Sequence, residues 1–134
     1  MKMLSILLVD DDKIERLKFQ KVCKEINLNI NVFEAKNGEI ALKILQEENF
    51  AFDLIVSDLN MPRMDGFEFL SALKKRKKSK YIPVVVMSTS ETKNDLKKSY
   101  ELGVSGYFSK PLSYKEYLNK VSSLLEYWDK ASLT

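Results

Sequence analysis

Five short apolar runs, each separated from the next by a stretch of helical spacing, constrain this chain more than any other feature. They fall at residues 6–9, 30–33, 54–57, 84–87 and 106–109. Continuous apolar runs of this length are the mark of strands buried on both faces, as in a parallel sheet. Between them apolar residues recur every three or four positions, the period of a helix with one buried face. Strand and helix in strict alternation predict an α/β domain with a parallel sheet, right-handed crossovers and helices on both faces.

Taken in order, the first run ends at Asp10-Asp11-Asp12, with Asp12 placed to cap the helix that follows. Phe19, Val22, Cys23 and Ile26 mark that helix's face. The run at 30–33 is less hydrophobic and suits a strand nearer an edge. Asn37-Gly38 is a turn signal, and Ile40, Ala41, Ile44 and Leu45 mark a second helix. After the third strand a Pro-containing loop leads to a helix carrying Phe67, Leu70 and Leu73. The fourth helix, 92–102, has a thin stripe, mainly Leu96 and Tyr100, and Gly103 stops it. The fifth is best signalled. Ser113 and Glu116 form a capping box, followed by Tyr114, Tyr117, Leu118, Val121, Leu125 and Trp128. No repeat or linker divides the chain, so residues 1–134 read as one domain, with 130–134 as a frayed tail.

Several function classes are excluded early. The chain has no histidine, which removes Ser-His catalysis, a histidine zinc site and a histidine phosphodonor. One cysteine, Cys23, permits no internal disulfide and reads as core packing. No apolar run approaches the roughly 20 residues of a membrane helix. The short apolar start runs into three aspartates without a cleavage site, so a cytoplasmic protein is expected. The net charge of +3 hides an asymmetry: Lys74, Lys75, Arg76, Lys77, Lys78 and Lys80 carry six charges, and the rest would sum to −3. The patch is local, reads as a solvated helix end, and does not point to nucleic acid or a membrane.

Four strands end in polar residues: Asp10 to Asp12, Asp58, Ser88 and Lys110. In a parallel sheet these ends share one edge, where ligands bind. Clustered carboxylates repel unless a cation or protons intervene. With no imidazole or thiolate among them, an all-oxygen site suits Mg²⁺, with Mn²⁺ as the alternative. A lysine and a hydroxyl beside a metal-bound carboxylate supply what a phosphoryl's oxygens need, and an aspartate can accept that group as an acyl phosphate. The residues alone therefore describe a Mg²⁺-assisted phosphoacceptor.

Four motifs carry a family resemblance: Leu8-Val9-Asp10-Asp11-Asp12; Ser57-Asp58-Leu59-Asn60-Met61-Pro62 with Asp65-Gly66; Val86-Met87-Ser88-Thr89; and Gly106-Tyr107-Phe108-Ser109-Lys110-Pro111. In this order, each at a strand end, they resemble the response-regulator receiver domain of two-component signalling over essentially the whole chain. The resemblance implies a flavodoxin-like strand order 2-1-3-4-5 and a stand-alone regulator that changes a protein-interaction face. It implies Asp58 as the phosphorylated residue and a metal ligand, and Asp10 and Asp11 as further ligands, with the Asn60 backbone carbonyl completing the set. Lys110 would pair with the phosphoryl, with Ser88 and Thr89 beside it, although Thr89 stands where the family usually carries a smaller residue. Ser88 and Tyr107 would be the switch pair, and Lys110–Pro111 corresponds to a bond usually cis in the family. Asn60 and Ser90 fall at positions that tune phosphate lifetime.

The partners implied are a sensor histidine kinase or a phosphotransfer protein, and a downstream protein whose identity the sequence does not carry. A homodimer through the face of the fourth helix, fifth strand and fifth helix is a further expectation. The enzyme rival is a phosphohydrolase working through an aspartyl phosphate. Such enzymes usually place a second acid two residues after the nucleophile, and here that residue is Asn60.

Overall fold

The computed structural model describes residues 3–47 and 51–131. Its elements are β1 (Leu4–Val9), α1 (Lys13–Glu25), β2 (Ile30–Ala35), α2 (Gly38–Gln46), β3 (Leu54–Ser57), α3 (Gly66–Lys74), β4 (Val84–Ser88), α4 (Lys93–Glu101), β5 (Gly106–Ser109) and α5 (Tyr114–Lys130). The five strands pair in parallel in the order β2-β1-β3-β4-β5. The doubly wound sheet and its order are therefore as expected, and the half-polar β2 does lie at an edge.

Alternate strand residues enter opposite layers, as the two-residue period of a strand requires. Leu7, Val9, Ile55, Val84 and Val86 join Ala41, Leu45, Phe69 and Leu73 of α2 and α3. Ile6, Leu8, Leu54, Val56, Val85 and Met87 join Phe19 and Val22 of α1 and Tyr117, Val121 and Leu125 of α5. Cys23 packs against this second cluster, and burial pushes its thiol up to about 12. It is the packing residue expected.

The strands and helices depart from the sequence expectations where tertiary contacts decide. β1 starts two residues early because Leu4 pairs with Ile30 and Ser5 N–H donates to the Asp53 carboxylate at 2.8 Å. β2 runs on to Ala35 because Val9 continues the ladder. Asn37 is not a free turn residue: its side chain accepts from Ile40 N–H at 2.9 Å and caps α2. In α3, Phe69 is the fully buried aromatic, while Phe67 is half-buried beneath the Lys98 ammonium.

On α4 the expected stripe is corrected outright: Leu96 and Tyr100 are exposed, and the one buried residue is Ser99. Its buried hydroxyl is satisfied by donating to the Asp95 carbonyl at 2.8 Å. Ser113 caps α5 by accepting from Glu116 N–H, but the reciprocal capping box forms on α3, between Asp65 and Glu68. Lys130 remains helical rather than frayed, and residues 132–134 lie outside the described part. No described peptide bond is cis, so Lys110–Pro111 is trans.

Candidate functional site

Register brings the site together. Val9 pairs with Ser57, and Ser88 with Ser109, so Asp10, Asp58 and Lys110 leave the sheet at the same edge. Asp58 N–H donates to the Val9 carbonyl at 2.9 Å, and Lys110 N–H to the Ser88 carbonyl at 2.8 Å, extending the ladders by one residue past the strands. Gly66, at the start of α3, permits this loop to close: a Cβ there would stand 2.4 Å from the Asp58 carbonyl oxygen. Its N–H donates to the Leu59 carbonyl at 2.7 Å.

At this edge Asp10, Asp11 and Asp58 offer carboxylate oxygens within 4.8 Å of one another. The Lys110 ammonium donates to Asp10 Oδ2 at 2.8 Å and lies 3.5 Å from Asp58 Oδ2. Its side chain is only 9% exposed, so these charges meet in a poorly screened setting. Burial pushes the Asp58 carboxyl above its ordinary value. Lys110 pulls it back, Asp10 and Asp11 add to the rise, and the Leu59 N–H bond opposes it. Lys110 ends above its ordinary value although burial opposes its charge, because Asp10 and Asp58 outweigh the cost. A carboxylate whose charge burial disfavours, with two further aspartates beside it, is one that a cation would relieve.

Asp12 acts as foreseen, accepting from Ile14 N–H at 2.9 Å as the cap of α1. Asp10 is fixed from two sides: its Oδ1 accepts from Asp12 N–H at 2.9 Å, and its carbonyl from Arg16 at 2.8 Å. Arg16 is buried and also pairs with Glu34 at 2.7 Å. Sequence reading passed over it, yet an arginine three residues before Phe19, on α1's buried stripe, was a signal of a satisfied inner charge. Glu15, whose carboxylate lies 3.9 Å from Lys110, was also missed and had no such signal.

Ser88 is fully buried and its hydroxyl accepts from Ser90 N–H at 3.1 Å. Tyr107 is half-buried, packs against the α2–α3 layer, and donates its hydroxyl to the Ser90 carbonyl at 2.9 Å. Both residues therefore hold the same loop between β4 and α4. Ser90 in turn donates to Asp95 of α4 at 2.6 Å. Asn60 and Thr89 are exposed.

A five-stranded parallel sheet of this order, with an acidic cluster and a buried lysine at its carboxyl edge, defines a class. The model of the response regulator receiver domain matches residues 6–122, and the chain belongs to that family, whose members act in two-component phosphorelay signalling. Among its relatives is the response regulator Rcp1 of Synechocystis, 34% identical over 92% of this chain and 87% of that one. Another is the chemotaxis protein CheY of Pseudomonas aeruginosa, 29% identical over 92% of this chain and 97% of its own. The chain spans about half, 52%, of the probable transcriptional regulator ycf29 of Pyropia yezoensis, at 36% identity over 90% of its own length. Among solved structures, the phosphorylated cyanobacterial phytochrome response regulator RcpA superposes with a TM-score of 0.91 at 33% identity, covering 98% of this chain and 99% of that one. The Mn²⁺-bound form of Rcp1 gives 0.89 at 34% identity, covering 98% and 99%.

Proposed function

We propose that Asp58 accepts a phosphoryl group from the phosphohistidine of a sensor kinase or phosphotransfer protein. The observation that carries this reading is the convergence of Asp58 with Asp10, Asp11 and the buried Lys110 at one sheet edge. An Asp58 carboxylate oxygen attacks phosphorus as the bond from phosphorus to the donor nitrogen breaks, and the electron pair leaves with the imidazole. Lys110 holds an ammonium where the new phosphoryl's negative charge falls, and Asp10 orients that ammonium through its hydrogen bond.

Asp10, Asp11 and Asp58, with the Asn60 backbone carbonyl, would hold Mg²⁺ or Mn²⁺. The oxygen-only donor set fits a hard ion, and a Mn²⁺-bound Rcp1 is among the similar structures. Bound there, the ion supplies positive charge against the carboxylates and the incoming phosphoryl oxygens. Ser88 and Thr89 sit at the neighbouring strand end, and Ser88 turning its hydroxyl to the phosphoryl would release Ser90. Tyr107 shares that loop, so the change would pass to α4 and alter the face of α4, β5 and α5 offered to a downstream protein or to a second copy. We read residues 1–134 as one receiver domain acting in the cytoplasm. Asn60 cannot act as a general acid, so the protein is a switch rather than a turnover enzyme.

Incubation with a small acyl-phosphate donor and Mg²⁺ should add the mass of one phosphoryl group to the wild type and none to Asp58→Asn. Uptake at the wild-type rate by that variant would remove the assignment. Steady turnover of small phosphate esters would favour the hydrolase instead.

A further inference from the structure

Lys110 is surrounded by three carboxylates, and only two of them belong to the site already described. The third is Glu15, on the first turn of α1, whose Oε2 lies 3.9 Å from the Lys110 ammonium, against 2.8 Å for Asp10 and 3.5 Å for Asp58. Only the Asp10 distance is that of a well-formed hydrogen bond. The other two are charge contacts, so one ammonium is divided between the β1–β3 edge and α1. Glu15 Oε2 is buried and accepts no hydrogen bond among the described residues, while Oε1 is held by Lys18 at 3.4 Å. Lys18 is itself anchored over the Tyr117 ring of α5, 4.5 Å from its centroid. The carboxylate is therefore fixed from the α1–α5 side. With Asp10, Asp58, Lys110 and Tyr117 it lines one small cavity. Among the described residues, the cation that offsets the lost hydration of this buried oxygen is the Lys110 ammonium.

We infer that Glu15 is a positioning residue: it shares the Lys110 ammonium, which donates to Asp10 but stops 3.5 Å from Asp58, and so keeps that ammonium from closing on the Asp58 carboxylate that a divalent cation needs. This rests on the metal role proposed above. An ammonium settled on Asp10 and Asp58 occupies the oxygens a cation needs and repels the cation at close range in a weakly screened pocket. Glu15 offers that ammonium a partner outside the proposed metal ligands.

The test is calorimetric titration of the wild type, Glu15→Gln, Lys110→Ala and the double variant with Mg²⁺ and with Mn²⁺, thermal melts confirming that each is folded. Lys110→Ala should bind more tightly than the wild type. Glu15→Gln should bind about three- to tenfold more weakly, and in the Lys110→Ala background its effect should shrink below about twofold. Glu15→Asp, which keeps the charge on a shorter arm, should fall between. Unchanged affinity in Glu15→Gln overturns the inference. So does an equal loss in both backgrounds, since Glu15 would then act directly on the cation and not through Lys110. A wild type that binds Mg²⁺ with this coupling but takes up no phosphoryl leaves the inference standing and removes the phosphoacceptor reading. A wild type that binds neither ion removes the inference.

Discussion

α4 and α5 both lie close to β5 in sequence, yet they are attached to the molecule in opposite ways. α5 inserts Tyr117, Val121, Leu124 and Leu125 beneath the sheet. α4 inserts only Ser99 among the described residues, and its other contacts include the Ser90–Asp95 hydrogen bond, the Lys74 ammonium on the Glu101 carbonyl at 3.4 Å and the Lys98 ammonium over the Phe67 ring. The contrast separates two tasks. Lys110 enters α5 four residues later, so the cation of the site stands on a firmly packed base. Ser88 and Tyr107 both engage Ser90, at the foot of the helix with the least buried apolar surface. Elements of that kind open at low free-energy cost.

The largest effect should come from testing that contrast directly. Leu125 is fully buried, and Leu125→Ala should destabilise by about 3 kcal/mol, a fall in Tm of roughly 10 °C. Leu96, at 40% exposure, should lose about 0.5 kcal/mol or less when cut to alanine. Comparable losses in thermal or denaturant unfolding would show α4 to be as firmly packed as α5. Next in size is Gly66→Ala, whose Cβ would meet backbone at the Asp58 carbonyl and at Leu59 Cα. A loss of about 1–3 kcal/mol is expected, together with weaker Mg²⁺ binding because the displaced loop carries Asp58. An unchanged affinity would mean that the Asp58 loop tolerates the shift.

How much of this was legible in sequence follows from what each residue depends on. β3 and the ends of α4 depend on local signals, a β-branched run, the Thr92 cap and Gly103 at φ +89°, and they fall where those signals put them. Asp10, Asp58 and Lys110 were legible because a parallel sheet must bring its carboxyl ends to one edge. The face of α4 was not legible, since Leu96 and Tyr100 satisfy the helical period, and nothing in that period marks Ser99 as the residue that is buried. Glu15 escaped for a related reason: nothing in a 3.6-residue pattern marks a charge that meets Lys110 only through the packing of α1.

A smaller effect should come from the charge balance at the β1–β3 edge, between the firm and the loose halves. Burial and the neighbouring aspartates raise the Asp58 carboxyl above its unfolded value, so the native state prefers that group neutral. Its contribution to stability is fully present below the unfolded value and is lost as pH rises through the folded one. Asp58→Asn should therefore melt a few degrees above the metal-free wild type at neutral pH, and the gap should close as pH falls toward the ordinary carboxylate range. Millimolar Mg²⁺ should narrow or reverse the order, because a ligand that prefers the native wild type stabilises it by mass action. A wild type that stays the more stable at neutral pH without metal would mean that the Lys110 attraction exceeds the cost of burial.

The smallest change reaches the loose half alone. Tyr107→Phe removes one hydroxyl, the donor to the Ser90 carbonyl at 2.9 Å, and leaves the ring against the α2–α3 layer. The net worth of such a bond is about 0.5–1.5 kcal/mol, so global stability should fall by no more than that. The local effect should be unevenly placed. Ser90 would lose one of its ties to the core side, keeping the Ser88 hydroxyl on its N–H and the bond to Asp95. Amide exchange should accelerate in the β4–α4 loop and the first turn of α4, with α5 unchanged. Equal acceleration in α5 would mean that the two helices open as one unit, and the separation between a firm base and a movable rim would fail. Acceleration confined to α4 would identify the Tyr107 hydroxyl as a tether of the rim, one that Ser88 would have to loosen from the other side of Ser90.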